Sequence, residues 1–402
     1  MRVCGVGQWG TKHEGRKKTG SAEGKESPSN QAPLSSDYLS AIAARVLSVR
    51  EVVLSAVAVF AVASLWVVQC TREVTAHPDA EAMRQAAFRM EQCVEKIASH
   101  RRAQTKSEEY RATPLEALLG VEYSSITTTL GSLQAKRTTA NPNFAALVVR
   151  LLRQAGVDSG DVVAMGFSGS FPGLCIAAIT GAEALGAHPV VISSVGASSW
   201  GANLPWLTWL DMEQVLWEHG LIRTRSVAAT VGAEADTGGG LGEEGRRLAW
   251  QAAARTGVPL LKVRGVQESI STRMHIYRSA GRVKTFLNVG GNQADLGPYF
   301  CRRLLRPGLI LHPRRIAPGE ECGVSQRFLE QGVPVVHLLD VRQLCARYGL
   351  PFDPLRMPEV GEGPVYQLVR YRPAVVACCL LLVVAGAFCA SLARGCSGKA
   401  WS

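Results

Sequence analysis

Two long apolar runs without any charged side chain lie near the two ends of the chain. They cover residues 52–69 and 373–392. A helix of roughly 18–20 apolar residues spans the hydrocarbon core of a bilayer. Core helices of soluble proteins, by contrast, usually keep a polar face. The pattern therefore predicts a transmembrane helix in each run. Arginines flank both runs, at Arg50, Arg72, Arg372 and Arg394.

Between these runs, short apolar segments alternate with segments of helical periodicity. The predicted strands cover residues 161–165, 189–194, 227–231, 259–263, 285–289 and 333–339. Helices are predicted at 81–100, 143–155, 171–185 and 243–255. This alternation indicates an α/β fold, with a doubly wound, mostly parallel sheet that carries helices on both faces. Arg273 and His275 lie in a polar stretch without an evident partner, which favours a solvated loop.

The two patterns together divide the chain into six predicted segments. They are a disordered basic tail (1–50), a transmembrane helix (52–69), a helical and hydroxyl-rich lead-in region (73–155), the α/β domain (156–360), a second transmembrane helix (373–392) and a C-terminal tail (393–402).

The charge distribution bears on topology and on partners. The net charge of +11 is spread along the chain, so no basic stripe of the kind that binds nucleic acid is formed. Residues 1–50 contain eight Lys and Arg. By the positive-inside rule this places the N-terminus in the cytoplasm. We therefore expect a two-pass protein of the cell (inner) membrane, with its soluble domain on the extracytoplasmic side. Arg370 and Arg372 lie on the outer side of the second run and oppose this orientation.

Three polar, glycine-rich loops follow three of the predicted strands, at residues 166–170, 193–203 and 288–292. Ligands bind at the carboxyl ends of strands in doubly wound sheets, so these loops are expected to form one cleft. The candidate ligand-binding residues are Gly166, Ser168, Gly169, Ser170, Ser198, Ser199, Asn203, Asn288, Gly290, Gly291 and Asn292.

Ser168 is the candidate catalytic residue. The segment GFSGS at 166–170 is close to the nucleophile-elbow pattern G-x-S-x-G, with Ser170 in place of the last glycine. Two other interpretations stay open: an anion site at a helix N-terminus, and a turn capped by serine. The candidate partners of Ser168 are the histidines His188, His219, His275, His312 and His337 and the acids Asp211 and Asp295.

No motif indicates a metal or a cofactor. Residues 240–245 match G-x-G-x-x-G by letter, but Glu243 and Glu244 would stand where a pyrophosphate binds. The chain contains no phosphate-binding G-x-x-x-x-G-K-[ST] motif and no H-E-x-x-H motif. Its eleven cysteines include no C-x-x-C pair, so buried thiols are expected. We therefore predict neither a bound cofactor nor a metal site.

Several longer segments resemble a known family. They are SITTTLGSLQAKR (125–137), GFSGSFP (166–172), SSVGASSWGAN (193–203), TWLDM (208–212) and NVGGN (288–292). Together they resemble the bacterial poly-γ-glutamate system protein family, from about residue 73 to residue 340. The resemblance implies a membrane-associated accessory component in the synthesis or export of a γ-linked glutamate polymer. Such a protein would have the polymer or other synthase subunits as partners. It implies no catalytic residue.

Three functional hypotheses follow from these patterns. The first is a membrane-anchored accessory protein that binds the anionic polymer or docks the synthase. The second is a serine-dependent hydrolase or transferase acting on γ-glutamyl amides, with Ser168 attacking and a histidine as base. The third is a sensor that binds a small ligand through the same loops.

Overall fold

The computed structural model describes residues 49–104, 113–312 and 322–396. The predicted N-terminal tail up to residue 48, and residues 397–402 of the C-terminal tail, lie outside the described residues. The chain divides into one compact unit, Arg72–Tyr371, and a second unit made of Met1–Thr71 with Arg372–Ser402. The predicted lead-in region and the predicted α/β domain thus belong to the same unit.

Helices and strands alternate along most of the described chain. The helices are α1 (Val49–Cys70), α2 (Ala80–Gln104), α3 (Leu133–Thr138), α4 (Asn143–Gln154), α5 (Pro172–Ala184), α6 (Trp209–Glu218), α7 (Gly242–Thr256), α8 (Val266–Ser279), α9 (Gln293–Leu296), α10 (Tyr299–Arg302), α11 (Val324–Glu330), α12 (Val341–Tyr348) and α13 (Pro373–Cys396). The strands are β1 (Glu73–Ala76), β2 (Val162–Ser168), β3 (His188–Ser194), β4 (Asn203–Leu204), β5 (Leu207–Thr208), β6 (Ser226–Thr230), β7 (Val283–Val289), β8 (Gly308–Ile310), β9 (Val335–Leu338) and β10 (Gln367–Arg370).

A six-stranded sheet forms the centre of the unit Arg72–Tyr371. Its strand order is β6-β3-β2-β7-β9-β8. All neighbours pair in parallel except β8, which runs antiparallel to β9 at one edge. The predicted α/β class with a mostly parallel sheet is therefore confirmed. The antiparallel edge strand β8 was not predicted from the sequence.

Helices cover both faces of this sheet. Val163, Met165 and Phe167 of β2 belong to a core with residues of α2, α4 and α5, whereas Ala164 belongs to a separate core with residues of α8 and α11. Successive side chains of a strand point to opposite faces, so one strand serves two cores. This explains why β2 is a continuous apolar run in the sequence instead of an alternating one.

Three details of the predicted secondary structure were wrong. Residues 259–263 form no strand, and Leu260 makes only an isolated bridge with Ala229 of β6. Gly166 and Ser168 lie within β2, so the turn after this strand begins later than predicted. Arg273 is in α8 and fully buried, because it has acidic partners far away in sequence.

The two ends of this unit lie side by side. β1 pairs antiparallel with β10, and Glu73 lies opposite Arg370. The chain therefore enters and leaves the unit at neighbouring positions.

The other unit contains the two apolar helices. Within the described residues, one helix is long and apolar enough to cross a membrane: Glu51–Cys70, with 20 residues and a mean hydropathy of 2.3. The apolar run of α13, Pro373–Cys389, is shorter than this requirement. α1 and α13 contact each other, and Gly386 packs against Val57. The second membrane span remains a prediction.

Candidate functional site

The sheet has a switch point between β2 and β7. β2 is the first strand of the parallel sheet, and the chain then builds β3 and β6 on one side before β7 and β9 are added on the other. The connections after β2 and β7 therefore diverge and leave a crevice at the carboxyl ends of these strands. In such folds this crevice is the usual place for a ligand.

A cavity of about 700 Å³ lies at this switch point. It is lined by residues from six parts of the chain: 128–136, 168–171, 194–198, 233–240, 291–302 and 339–352. Five of the predicted ligand-binding residues line it: Ser168, Ser170, Ser198, Gly291 and Asn292. The three predicted loops thus meet at one cavity.

Lys136 on α3 is the side chain at this cavity that sequence reasoning missed. It is buried, and its Nζ donates hydrogen bonds to the carbonyl oxygen of Ser170 and, at 2.8 Å, to Ser198 Oγ. The ammonium group also lies 3.5 Å from the ring centroid of Phe171, a distance typical of a cation–π contact. Burial lowers the pKa of Lys136 to about 7, and the nearby Cys175 thiol opposes this change.

No carboxylate of the described residues forms an ion pair with Lys136. The ionisable groups at the rim are more exposed: Glu234, Asp340 and Arg342 are open to solvent, and Arg302 is half-buried. The inner wall therefore presents one amine and several hydroxyl groups, without an acid beside them. Such a wall can accept an anionic group from a ligand.

The serine hydroxyl groups of this wall form a connected chain. Ser168 Oγ donates to Ser170 Oγ at 2.9 Å, and Ser170 Oγ also accepts from the backbone N–H of Ser198 at 3.0 Å. Ser198 Oγ in turn accepts from Lys136. These hydrogen bonds fix the positions of three hydroxyl groups, which come from the end of β2, the turn after it and the loop after β3.

The remaining predicted residues lie behind the cavity wall. Gly166 packs against the buried carboxyl of Asp295, whose oxygens would lie 2.5–2.7 Å from a Cβ at this position. A Cβ at Gly169 would lie 2.9 Å from the Val195 carbonyl, and one at Gly290 would lie 2.9 Å from the Cβ of Ser168. These glycines let the strand-end loops approach each other closely.

Asn203 and Ser199 hold the hydroxyl-rich segment in place. Asn203 Oδ1 accepts from the N–H of Val121, and its Nδ2 donates to the Val121 carbonyl and to Thr127 Oγ1. Ser199 Oγ donates to the carbonyl of Thr129 at 3.4 Å. Both side chains thus fasten the loop after β3 to the segment that carries Lys136.

Asn288 at the end of β7 is also a supporting residue. Its Nδ2 donates to the Gly290 carbonyl at 2.9 Å and lies 3.0 Å from His337 Nδ1. Burial lowers the pKa of His337 to about 4, so this imidazole is neutral at physiological pH and can accept the hydrogen bond. The pair shapes the loop that carries Gly291 and Asn292.

A buried ionic cluster lies under the loops. Arg273 pairs with Asp236 at 3.0 Å and with Asp295 at 3.5 Å. Asn292 Nδ2 donates to Asp236 Oδ1 at 2.7 Å and to Ser194 Oγ at 3.1 Å. The cluster therefore connects the loops after β3, β6 and β7. Burial raises the pKa of Asp295 to about 6, and the neighbouring Arg273 guanidinium opposes this.

The loop after β6 is held in an uncommon backbone conformation. Ala233, Ala235 and Asp236 have φ values of 61°, 56° and 62°, in the left-handed region that non-glycine residues rarely adopt. Backbone strain of this kind persists where surrounding contacts enforce it, and it concentrates at functional sites. Here the contacts of Asp236 enforce it, and Ala233 lines the cavity.

No histidine of the described chain lines the cavity. His337 contacts Asn288, and His219 Nδ1 contacts the Val215 carbonyl. The pairing of Ser168 with a histidine, which the sequence suggested as one possibility, is therefore absent from the described residues. The only amine that contacts the serine chain within the described residues belongs to Lys136.

The sequence contained one signal for Lys136. Residues 124–139 are rich in hydroxyl groups and contain no acidic side chain that could pair with a lysine. This pattern does not predict that Lys136 is buried, because the burial arises from contacts with Ser170 and Ser198, which are 34 and 62 positions away in the sequence.

Comparison with known proteins gives no match: no family model, no curated protein and no solved structure is similar to this chain at a significant level.

Proposed function

We propose that this protein is a membrane-anchored accessory component of poly-γ-glutamate synthesis or export, and that its switch-point cavity binds the polymer. In a γ-linked chain every residue keeps a free α-carboxylate. We assign one such carboxylate to the donors of Lys136, Ser198 and Ser170. Other synthase subunits are the partners that the family resemblance implies.

The observation that carries the proposal is the buried Lys136 without an acidic partner in the described chain. A buried amine is costly in free energy unless an opposite charge or strong acceptors surround it. The Ser170 carbonyl and Ser198 Oγ already accept hydrogen bonds from Lys136, and a bound carboxylate would supply the missing negative charge. The hydroxyl groups of Ser170 and Ser198 would complete its hydrogen bonds.

The position of the family-like segments also supports the proposal. Segments 125–137, 166–172, 193–203 and 288–292 each contribute residues to the lining of the same cavity. They are separated by many residues in the sequence, and the fold brings them together. Four of the five family-like segments thus contribute to the site, together with residues at 233–240, 302 and 339–352 that lie outside these segments.

The electrostatics predict how binding depends on pH. The pKa of Lys136 is about 7 in the free protein, and a carboxylate beside it would raise this pKa. The bound form then holds more protons than the free form above pH 7. Affinity should therefore be constant below about pH 7 and decrease as pH rises through the range between the two pKa values.

The test is a binding measurement on the full-length protein in nanodiscs, with fluorescent γ-linked glutamate oligomers and α-linked oligomers of equal length. Lys136→Met removes a hydrogen bond to a charged group, which contributes about 1.5–3 kcal/mol. Affinity for the γ-linked oligomer should therefore fall about 10- to 100-fold. Wild-type protein should prefer the γ-linked oligomer.

The matched control is Lys284→Met, because this lysine is exposed and lies outside the cavity. It should bind the γ-linked oligomer as wild type does. Equal affinity of Lys136→Met and wild type would refute the site. In cells, deletion of the gene should abolish polymer output, and the Lys136→Met gene should restore it less than the wild-type gene does.

A further inference from the structure

We propose that Ser198 and Lys136 form a nucleophile–base pair that cleaves γ-glutamyl amide bonds in this cavity. The substrate class rests on the proposed function above, whereas the reactive pair rests on the geometry alone. This is a different assignment from the serine–histidine pairing that the glycine-rich turn suggests.

The two side chains of the pair are in direct contact. A nucleophilic serine needs a base within about 2.6–3.2 Å of its oxygen. Lys136 Nζ lies 2.8 Å from Ser198 Oγ, and both side chains line the cavity. Ser168 lacks such a base, because its hydroxyl donates to Ser170 Oγ and no histidine of the described residues lines the cavity.

The base is oriented by its other contacts. A neutral amine has two N–H donors and one lone pair. Lys136 can keep one N–H on the Ser170 carbonyl while its lone pair accepts the proton of Ser198. The ring of Phe171 lies under the same nitrogen and favours the ammonium that forms when the proton is transferred.

The nucleophile is held in position by its backbone. The N–H of Ser198 donates to Ser170 Oγ, which fixes the backbone that carries the attacking oxygen. Gly131 passes directly over the pair, and a Cβ there would lie 3.1 Å from Ser198 Oγ. The pair is therefore held between two loops, and both of its side chains are buried and line the cavity.

The protonation state of Lys136 agrees with this geometry. Burial lowers the pKa of Lys136 to about 7, so a large fraction of the amine is neutral at physiological pH and can act as a base. The protonated form binds an α-carboxylate, and the neutral form acts as the base in those complexes in which an amide group of the polymer, and no α-carboxylate, lies beside Lys136. Cys175 faces it from α5. The other ionisable groups of the lining, Glu234, Arg302, Asp340 and Arg342, stand at the rim.

The reaction balances with water as the only co-reactant. Ser198 Oγ bonds to the carbonyl carbon of the γ-amide while Lys136 takes its proton. The C–N bond then breaks, and Lys136 returns the proton to the leaving amine. Water next attacks the serine ester and gives one proton to Lys136. Lys136 passes this proton to Ser198 Oγ as the ester C–O bond breaks, and the product acid leaves as a carboxylate after releasing its proton to solvent. An amine acceptor in place of water would give transfer instead of hydrolysis.

The experiment uses the full-length protein in detergent with a fluorophosphonate probe, which reacts with activated serines without needing the polymer. Mass spectrometry should place the label on Ser198, and the labelling rate should rise with pH with a midpoint near 7. Ser198→Ala and Lys136→Met should lower the rate at least ~100-fold. Ser159→Ala, at an exposed serine outside the cavity, is the matched control and should label as wild type does.

The pH dependence of Ser198 labelling is measured on the wild-type protein, so it tests the pair even if a variant does not fold. Absence of label on Ser198 between pH 6 and 9, or label on Ser168, would overturn the pair. Oligomer cleavage is measured in parallel as release of new amino groups from γ-linked glutamate. Labelling of Ser198 without cleavage or binding of this oligomer would retain the pair and remove the proposed function. Binding of the oligomer without labelling of Ser198 would retain the proposed function and refute the nucleophile–base pair.

Discussion

Replacement of Lys136 by Met should change how the stability of the protein depends on pH, whatever the cavity binds. Burial lowers the pKa of this amine from 10.5 to about 7 in the folded protein. Between these pH values the unfolded chain binds a proton that the folded protein does not bind. The free energy of unfolding therefore rises with pH across this range in wild type. Lys136→Met loses this contribution.

The magnitude follows from the difference between 10.5 and about 7. At about 1.4 kcal/mol for each pH unit, the full contribution is about 5 kcal/mol. Between pH 7 and pH 9 it amounts to roughly 2 kcal/mol, because the amine is already half deprotonated at pH 7 in the folded protein. Other titrating groups are common to both proteins, so they cancel when the two pH dependences are subtracted.

The assay is urea unfolding of full-length wild type and Lys136→Met in detergent, followed by tryptophan fluorescence at pH 7 and pH 9. Trp209 is fully buried in the sheet unit and reports its unfolding. Wild type should gain roughly 2 kcal/mol relative to the variant between the two pH values. Equal pH dependence of the two proteins would show that Lys136 is solvated, and the electrostatic basis of the site would then be wrong.

Two further predictions concern the support of the cavity and the side of the membrane. Gly166→Ala should lower the free energy of unfolding by about 1–3 kcal/mol, because the added Cβ would collide with the buried carboxyl of Asp295. Gly291→Ala should have little effect, because a Cβ there meets nothing within 4 Å. Urea titration of both variants measures this, and equal losses would refute the packing argument. The Sγ atoms of Cys301 and Cys322 lie 3.8 Å apart, so an extracytoplasmic domain exposed to a thiol oxidant should contain them as a disulfide. Alkylation of acid-trapped membranes followed by mass spectrometry measures this, and two alkylated thiols would argue for a cytoplasmic domain.

The sequence determined those features that depend on neighbouring residues. The length and hydropathy of residues 51–70 specify an apolar helix regardless of the rest of the chain. The apolar runs of β2, β3 and β7, each followed by a polar loop, specify an α/β fold with candidate binding residues at strand ends. Such patterns depend on residues that are close together in the sequence, so helices and strands can be predicted from them before the structure is known.

Only the tertiary structure decided which of these loops meet and what each residue does there. The strand order places β2 beside β7, and this neighbourhood creates the switch-point cavity. In this fold the side chains of Asn203 and Asn288, which were candidate ligand-binding residues, form hydrogen bonds with neighbouring protein groups and so stabilise the loops. Lys136 becomes important for the same reason. Desolvation of a charge depends on every atom packed around it, and those atoms come from parts of the chain that no local pattern connects.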